Sequence, residues 1–141
     1  MGVLRSTTRK WSDPNFLMPN RQIRVTVESF YVPERSEPTE HYFFFAYRVR
    51  IANEGEETAK LMSREWIITD GDGNQQVVRG EGVVGEQPLL QPGQAYEYTS
   101  FCPLPTEVGA MEGTYFMRSA GGEIFRAEIA PFTLAVPGVL N

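Results

Sequence analysis

At 141 residues, with 41% hydrophobic, 22% charged and 12% aromatic residues, the chain is long enough to bury one good core and too apolar to stay disordered. Its formal net charge of −5, from 18 acidic against 13 basic side chains, argues against nucleic acid as the main ligand, because no general phosphate-neutralising surface is available. No apolar run approaches the ~20 residues of a spanning helix, and the one cysteine, Cys102, closes no internal disulfide and supplies no metal-ligand spacing, a composition that fits a reducing cytoplasm.

Residues 1–20 read as a flexible tail. Arg5, Arg9 and Lys10 accompany Ser6, Thr7 and Thr8 with no acidic residue before Trp11, and Asp13, Pro14, Pro19 and Asn20 then break regular structure. Met1-Gly2 with Ser6 also matches an N-myristoylation signal beside basic residues, an alternative that applies only in a eukaryotic host. Residues 21–141 read as one domain made of strands. Ile23, Val25 and Val27 alternate with Arg24, Thr26 and Glu28, the period of two of a half-buried strand, and Pro33, Ser36 and Pro38 end it. The next strand covers residues 41–53 with Phe43, Phe45, Tyr47, Val49 and Ile51 on one face. Its second face runs from Tyr42, Phe44 and Ala46 to Arg48 and Arg50, so one end is expected covered and the other wet.

After a turn at Asn53-Glu54-Gly55, residues 59–69 carry Leu61, Trp66, Ile67 and Ile68, and Asp70-Gly71-Asp72-Gly73-Asn74 is a strong hairpin signal. The return strand covers residues 75–79. Beyond a glycine-rich segment come strands at residues 96–101, 111–118 and 124–129, with turns at Pro92-Gly93 and Ala120-Gly121-Gly122 and closing prolines at Pro131 and Pro137. Short strands at regular spacing without intervening helices define an all-β, two-sheet β-sandwich of about seven or eight strands, fibronectin type III or immunoglobulin-like, but without the Cys…Trp…Cys hallmark of antibody domains.

Gly80-Glu81-Gly82-Val83-Val84-Gly85 spells G-x-G-x-x-G, yet Glu86-Gln87-Pro88 stands where a dinucleotide-binding fold starts its helix. Two readings stay open. In one, the glycines permit positive φ and close chain approach while Val83 and Val84 plug the core. In the other, Gly80, Gly82 and Gly85 present backbone N–H groups to a phosphate-containing small molecule, with Arg79 supplying charge and Glu81 opposing it.

No catalytic set is legible. His41 is the sole histidine, neither a G-x-S-x-G elbow nor a reactive-cysteine signature occurs, and Cys102 beside Phe101 and Pro103 reads as packing. Asp70, Asp72 and Asn74 mimic the spacing of a calcium loop, but Gln75 replaces the required glycine and strands flank it. The expectation is a hairpin whose Asp70 and Asp72 bind hard cations weakly, with no resident cofactor. The aromatic surplus at Tyr42, Phe43, Phe44, Phe45 and Tyr47 admits either a groove for a protein partner or a second copy, centred on Tyr42 and Phe44, or a strand covered on both faces.

Three runs carry a family resemblance: residues 61–70 (LMSREWIITD), residues 78–88 (VRGEGVVGEQP) and Tyr98-Thr99-Ser100. With Gly109-Ala110-Met111-Glu112-Gly113-Thr114-Tyr115 and Ile129-Ala130-Pro131-Phe132-Thr133-Leu134, the chain resembles the ApaG family over residues 22–136. That resemblance implies a fibronectin type III-like sandwich, found free-standing in bacteria and as a domain of some F-box proteins and of a polymerase delta-interacting protein. It further implies an association with cobalt and magnesium efflux or resistance, a gene often beside a diadenosine tetraphosphate hydrolase, and no catalytic residues. The family's glycine motif has been suggested to bind a nucleotide pyrophosphate, which here points to Gly80, Gly82 and Gly85. Glu65 departs from the pattern, standing where a basic residue is expected before Trp66, and this counts against a phosphate or metal role around Arg64. The resulting expectation is a non-enzymatic binding module, with nucleotide binding and weak metal response as alternatives.

Overall fold

The computed structural model describes residues 22–140, so the tail and its acylation signal lie outside the described residues. Eight strands follow in order: β1 (Ile23–Tyr31), β2 (Phe43–Asn53), β3 (Ala59–Asp70), β4 (Gln75–Glu81), β5 (Leu89–Leu90), β6 (Ala95–Leu104), β7 (Val108–Ser119) and β8 (Ile124–Ala135). All pairings between them are antiparallel. One sheet has the order β1-β2-β6 and the other β4-β3-β7-β8, with β5 continuing the β4 edge against the start of β3. The two sheets face each other as the expected sandwich, the immunoglobulin-like architecture with alternating inward residues.

Alternation decides what is buried. On β2, Phe45, Val49 and Ile51 are fully enclosed, and they meet Leu61 and Trp66 of β3, Met111, Tyr115 and Met117 of β7, and Phe125, Ala127 and Ile129 of β8. Each large apolar side chain so buried contributes about 1.5–3 kcal/mol. Trp66 is the aromatic hub, with ring centroids 5.3 Å from Tyr47, 6.3 Å from Tyr115 and 5.9 Å from Phe132. Outside, β2 is dry at the Phe44 end and wet at the other, where Arg50 pairs with Glu97 at 3.4 Å.

The two long sides of the sandwich differ. On one, β1 lies against β8 and the Ser29 hydroxyl donates to the Thr133 carbonyl at 2.8 Å. On the other, β4 and β6 are the terminal strands of their sheets, and the sheets stay apart. One end is tied by Asn53, buried at 2% exposure, whose amide donates to the Glu57 and Leu90 carbonyls at 2.8 and 2.9 Å. A turn residue by sequence, Asn53 is a buried polar hub in space.

Of the strand limits that differ from the sequence reading, three have a clear physical reason. Pro131 does not close the last strand: β8 is an edge, and Pro131 sits where the β7–β8 register shifts between Met111 and Gly113, a place where a missing N–H is tolerated. Edge position likewise lets β6 continue through Pro103 to Leu104. Strand β2 starts at Phe43 because two short 3-10 turns, Pro33–Arg35 and Pro38–Glu40, precede it, the second ending on His41 at φ 53°.

Gly113 marks a close backbone approach between β7 and β3, since a Cβ there would collide with the Glu65 carbonyl and press on the Trp66 ring. Gly113→Ala is expected to lower the urea midpoint by an amount equivalent to about 1–3 kcal/mol with an unchanged slope, the signature of overpacking without a change in the denatured state.

Candidate functional site

The glycine loop is built by strand β3 from below. Gly80 faces Arg64 across the β3–β4 ladder, and a Cβ on Gly80 would sit 2.8 Å from both terminal guanidinium nitrogens, so this glycine makes room for an arginine. Arg64 Nη1 then donates to the Glu81 and Gly82 carbonyls at 3.0 and 2.9 Å. Gly82 has φ 63°, and a Cβ there would collide with the Glu86 carbonyl. Val83 and Glu86 exchange both backbone bonds, at 2.7 and 2.9 Å, around Val84 at φ 47° and Gly85 at φ 80°. Positive φ at both central positions is the type I′ hairpin turn, whose favoured pair is Asn-Gly.

The two valines part company. Val83 is fully buried, whereas Val84 is 63% exposed in a left-handed conformation that a β-branched residue rarely adopts. Only Val83 plugs the core. The N–H groups of Gly82, Val83 and Glu86 are bonded to the Met62, Glu86 and Val83 carbonyls, so they turn inward and not toward a ligand. Arg79 lies on the outer face, its Nε 2.5 Å from Glu65 Oε2 in an exposed pair. The structure therefore brings Gly80, Gly82 and Gly85 into one loop but points Arg79 away from it.

Arg64 is the arginine that bonds to the loop. The β3 register shifts between Leu61 and Ser63, and the inward set continues as Arg64, Trp66 and Ile68. Glu65, one residue on, faces the opposite side and leaves Arg64 unopposed. Arg64 closes one end of a cleft of about 280 Å³ between the open edges of β4 and β6, whose other lining includes Tyr47, Trp66, Val78, Ser100 and Cys102. Hydroxyls border it: Tyr47 lies opposite Ser100 in the β2–β6 register, and the Tyr98 and Tyr115 hydroxyls bond to each other.

Burial pushes the Tyr98 and Tyr115 hydroxyls far above the ordinary tyrosine range, with the Arg64 charge acting weakly in the other direction. Tyr47 is raised for the same first reason, opposed by Ser100 and by Arg64. Burial also pushes the Cys102 thiol up to about 11, the opposite of an activated nucleophile. The signal for this site was present in the chain as a charge two residues before a core tryptophan, with a glycine opposite it.

The other sequence candidates lie elsewhere. Asp70 spends its carboxylate on the hairpin, accepting from the Asp72 and Asn74 N–H groups at 2.9 and 3.0 Å. Desolvation raises that carboxyl, but the N–H groups of Asn74, Asp72 and Gly73 and the Asn74 amide outweigh it and hold it below its usual value. Among the described residues no three His, Cys, Asp or Glu side chains gather as a metal site. On the outer face of β2, Tyr42 is 41% exposed and Phe44 only 5%, because Arg35 stacks 4.0 Å above the Phe44 ring and Phe101 packs beside it at 5.5 Å.

Fold and site together define a β-sandwich module with one closed side, one cleft side and a glycine hairpin anchored by an arginine. The ApaG domain model matches residues 33–119. Protein ApaG of Anaeromyxobacter sp. (strain K) is 58% identical over 84% of this chain and 94% of its own length. Protein ApaG of Azotobacter vinelandii is 53% identical over 87% and 98%. The crystal structure of an ApaA protein from Bordetella pertussis aligns with a TM-score of 0.82 at 52% identity, covering 84% of this chain and 96% of that one. The chain belongs to the ApaG domain family.

Two outcomes test the site's construction. Val84→Asn is expected to stabilise the protein by about 1 kcal/mol by relieving the left-handed valine, and Gly82→Ala to destabilise it, both read from denaturant midpoints. For the tyrosines the sign follows from their raised folded pKa values: the unfolded chain loses these protons first, near pH 10. Stability is then full below about pH 10 and falls by up to about 1.4 kcal/mol per pH unit for each such tyrosine as pH rises. Urea melts between pH 8 and 11.5 check this, and Tyr98→Phe should flatten the fall.

Proposed function

We propose that this ApaG-family chain is a non-catalytic binding module that engages a protein partner through the aromatic end of the β1-β2-β6 sheet. One observation carries the reading. On that outer face Phe30, Tyr42 and Phe101 are 39%, 41% and 51% exposed, and Arg35 lies 5.4 Å from the Phe101 ring as well as over Phe44. Exposed aromatics around an arginine are the composition enriched in interface cores, and hot spots favour the same residues. Pairing Phe30 with Ala46, and Ala46 with Phe101, makes these side chains one row across the sheet, with Pro103 in the next row.

A partner-binding role is also the form in which the family's association with cobalt and magnesium efflux would reach this chain, and a cytoplasmic location goes with it. The pyrophosphate alternative at Gly80, Gly82 and Gly85 has less support, because three of the loop's N–H groups are bonded to carbonyls and Arg79 is engaged with Glu65.

Affinity capture with wild-type bait and with Tyr42→Glu and Phe30→Glu baits tests the reading. The expectation is a specific partner retained by the wild type and depleted at least tenfold by either charge substitution. Equal recovery by all three baits would sink it.

A further inference from the structure

Arg64 is partly buried, and no carboxylate pairs with it among the described residues. Its Nη1 hydrogens are occupied by the Glu81 and Gly82 carbonyls, and the donors on Nε and Nη2 have no partner among the described residues. An ionised group taken out of water without a counter-charge is unfavourable. The remaining polar neighbours in the cleft, Tyr47, Gln76 and Ser100, are neutral, and the walls are Trp66, Ile68, Val78 and Met111. The site therefore has one positive charge, a planar donor fork and apolar sides.

The geometry assigns this cleft to a single carboxylate, carried on an acidic side chain of an extended peptide lying along the open edge of β6. Three features select that ligand. One cation without a second matches a monoanion better than a phosphate dianion, and a guanidinium fork fits a carboxylate in the bidentate manner. The cleft's volume of about 280 Å³ has room for one acidic side chain. Among the described strands β6 ends its sheet with no further strand paired to its outer edge, and strand addition delivers alternate side chains inward.

This inference rests on the protein-binding reading for its ligand class and adds a second contact, away from the aromatic face. The test uses the full chain and end-blocked hexapeptides of threonine and valine with one central glutamate, beside the same peptide with glutamine, free acetate and inorganic phosphate. Binding is followed by the Arg64 Nε–H and Trp66 Nε1–H resonances and the Val78 and Ser100 amides. The expected result is that the glutamate peptide shifts these signals and binds at least tenfold more tightly than the glutamine peptide. Phosphate should bind more weakly than the glutamate peptide, acetate should shift the Arg64 signal only at high millimolar concentration, and Arg64→Lys, its fold checked by the dispersion of its amide spectrum, should weaken the peptide at least tenfold. Silence of these resonances at millimolar glutamate peptide overturns the proposal, as does equal binding of the glutamine peptide or tighter binding of phosphate. Failure here is distinguishable from failure of the partner reading: capture abolished by Tyr42→Glu yet unchanged by Arg64→Lys removes the carboxylate site and leaves the aromatic face standing.

Discussion

A guanidinium placed between two apolar sheets must keep contact with water or find hydrogen-bond acceptors, and Arg64 does both. It reaches up to the carbonyls of Glu81 and Gly82 on one side and faces the β4–β6 cleft on the other. Much of the surrounding architecture follows from that placement. Gly80 carries no side chain because the guanidinium fills the space. The β4 edge cannot close down on β6 without sealing the charge inside, so this side of the sandwich stays open while the β1–β8 side packs shut.

The tyrosines complete the same logic. An interior that holds a charge tolerates hydroxyls near it, provided each has a partner, and Tyr98 and Tyr115 partner each other. The glycine hairpin roofs this interior. Its inward N–H groups fasten it to β3 and to itself, its buried Val83 seals the core beneath, and its exposed Val84 holds a conformation that asparagine or glycine would adopt more easily. Backbone strain at an exposed position is retained only where the surroundings impose it, and here the short distance between Gly82 and Glu86 imposes it.

The sandwich was legible from periodicity and turn chemistry because those signals are local. Ile23, Val25 and Val27, the inward row of β2 and the Asp70–Asn74 hairpin all express their geometry within a few residues. What was not legible depended on a bulge or an edge. Counting by twos from Leu61 puts Glu65 and Ile67 on the inner face; the register shift after Leu61 puts Arg64, Trp66 and Ile68 there instead. One inserted residue thus turns Arg64 into the cleft and Glu65 to the opposite face. Similarly, β5 is two residues long and exists only because β3 offers a partner, and Pro131 and Pro103 read as terminators until their strands are known to be edges.

Strand β6 joins the two surfaces that matter. Phe101 points outward into the aromatic row and Pro103 into the row beside it, Ser100 and Cys102 point inward to the cleft, and the backbone between them is an edge that no other described strand pairs with. A segment that pairs with this edge extends the three-stranded sheet, so its own side chains alternate between the apolar outer face and the arginine-ended cleft. Recognition by either surface alone is undemanding, since many peptides present an aromatic or an acid. Recognition by both requires apolar and acidic residues in strict alternation and in the correct register, because a slip of one residue sends the carboxylate to the aromatic row and the apolar side chain to Arg64. Selectivity in such a module comes from the penalty on the wrong register more than from the strength of the right one.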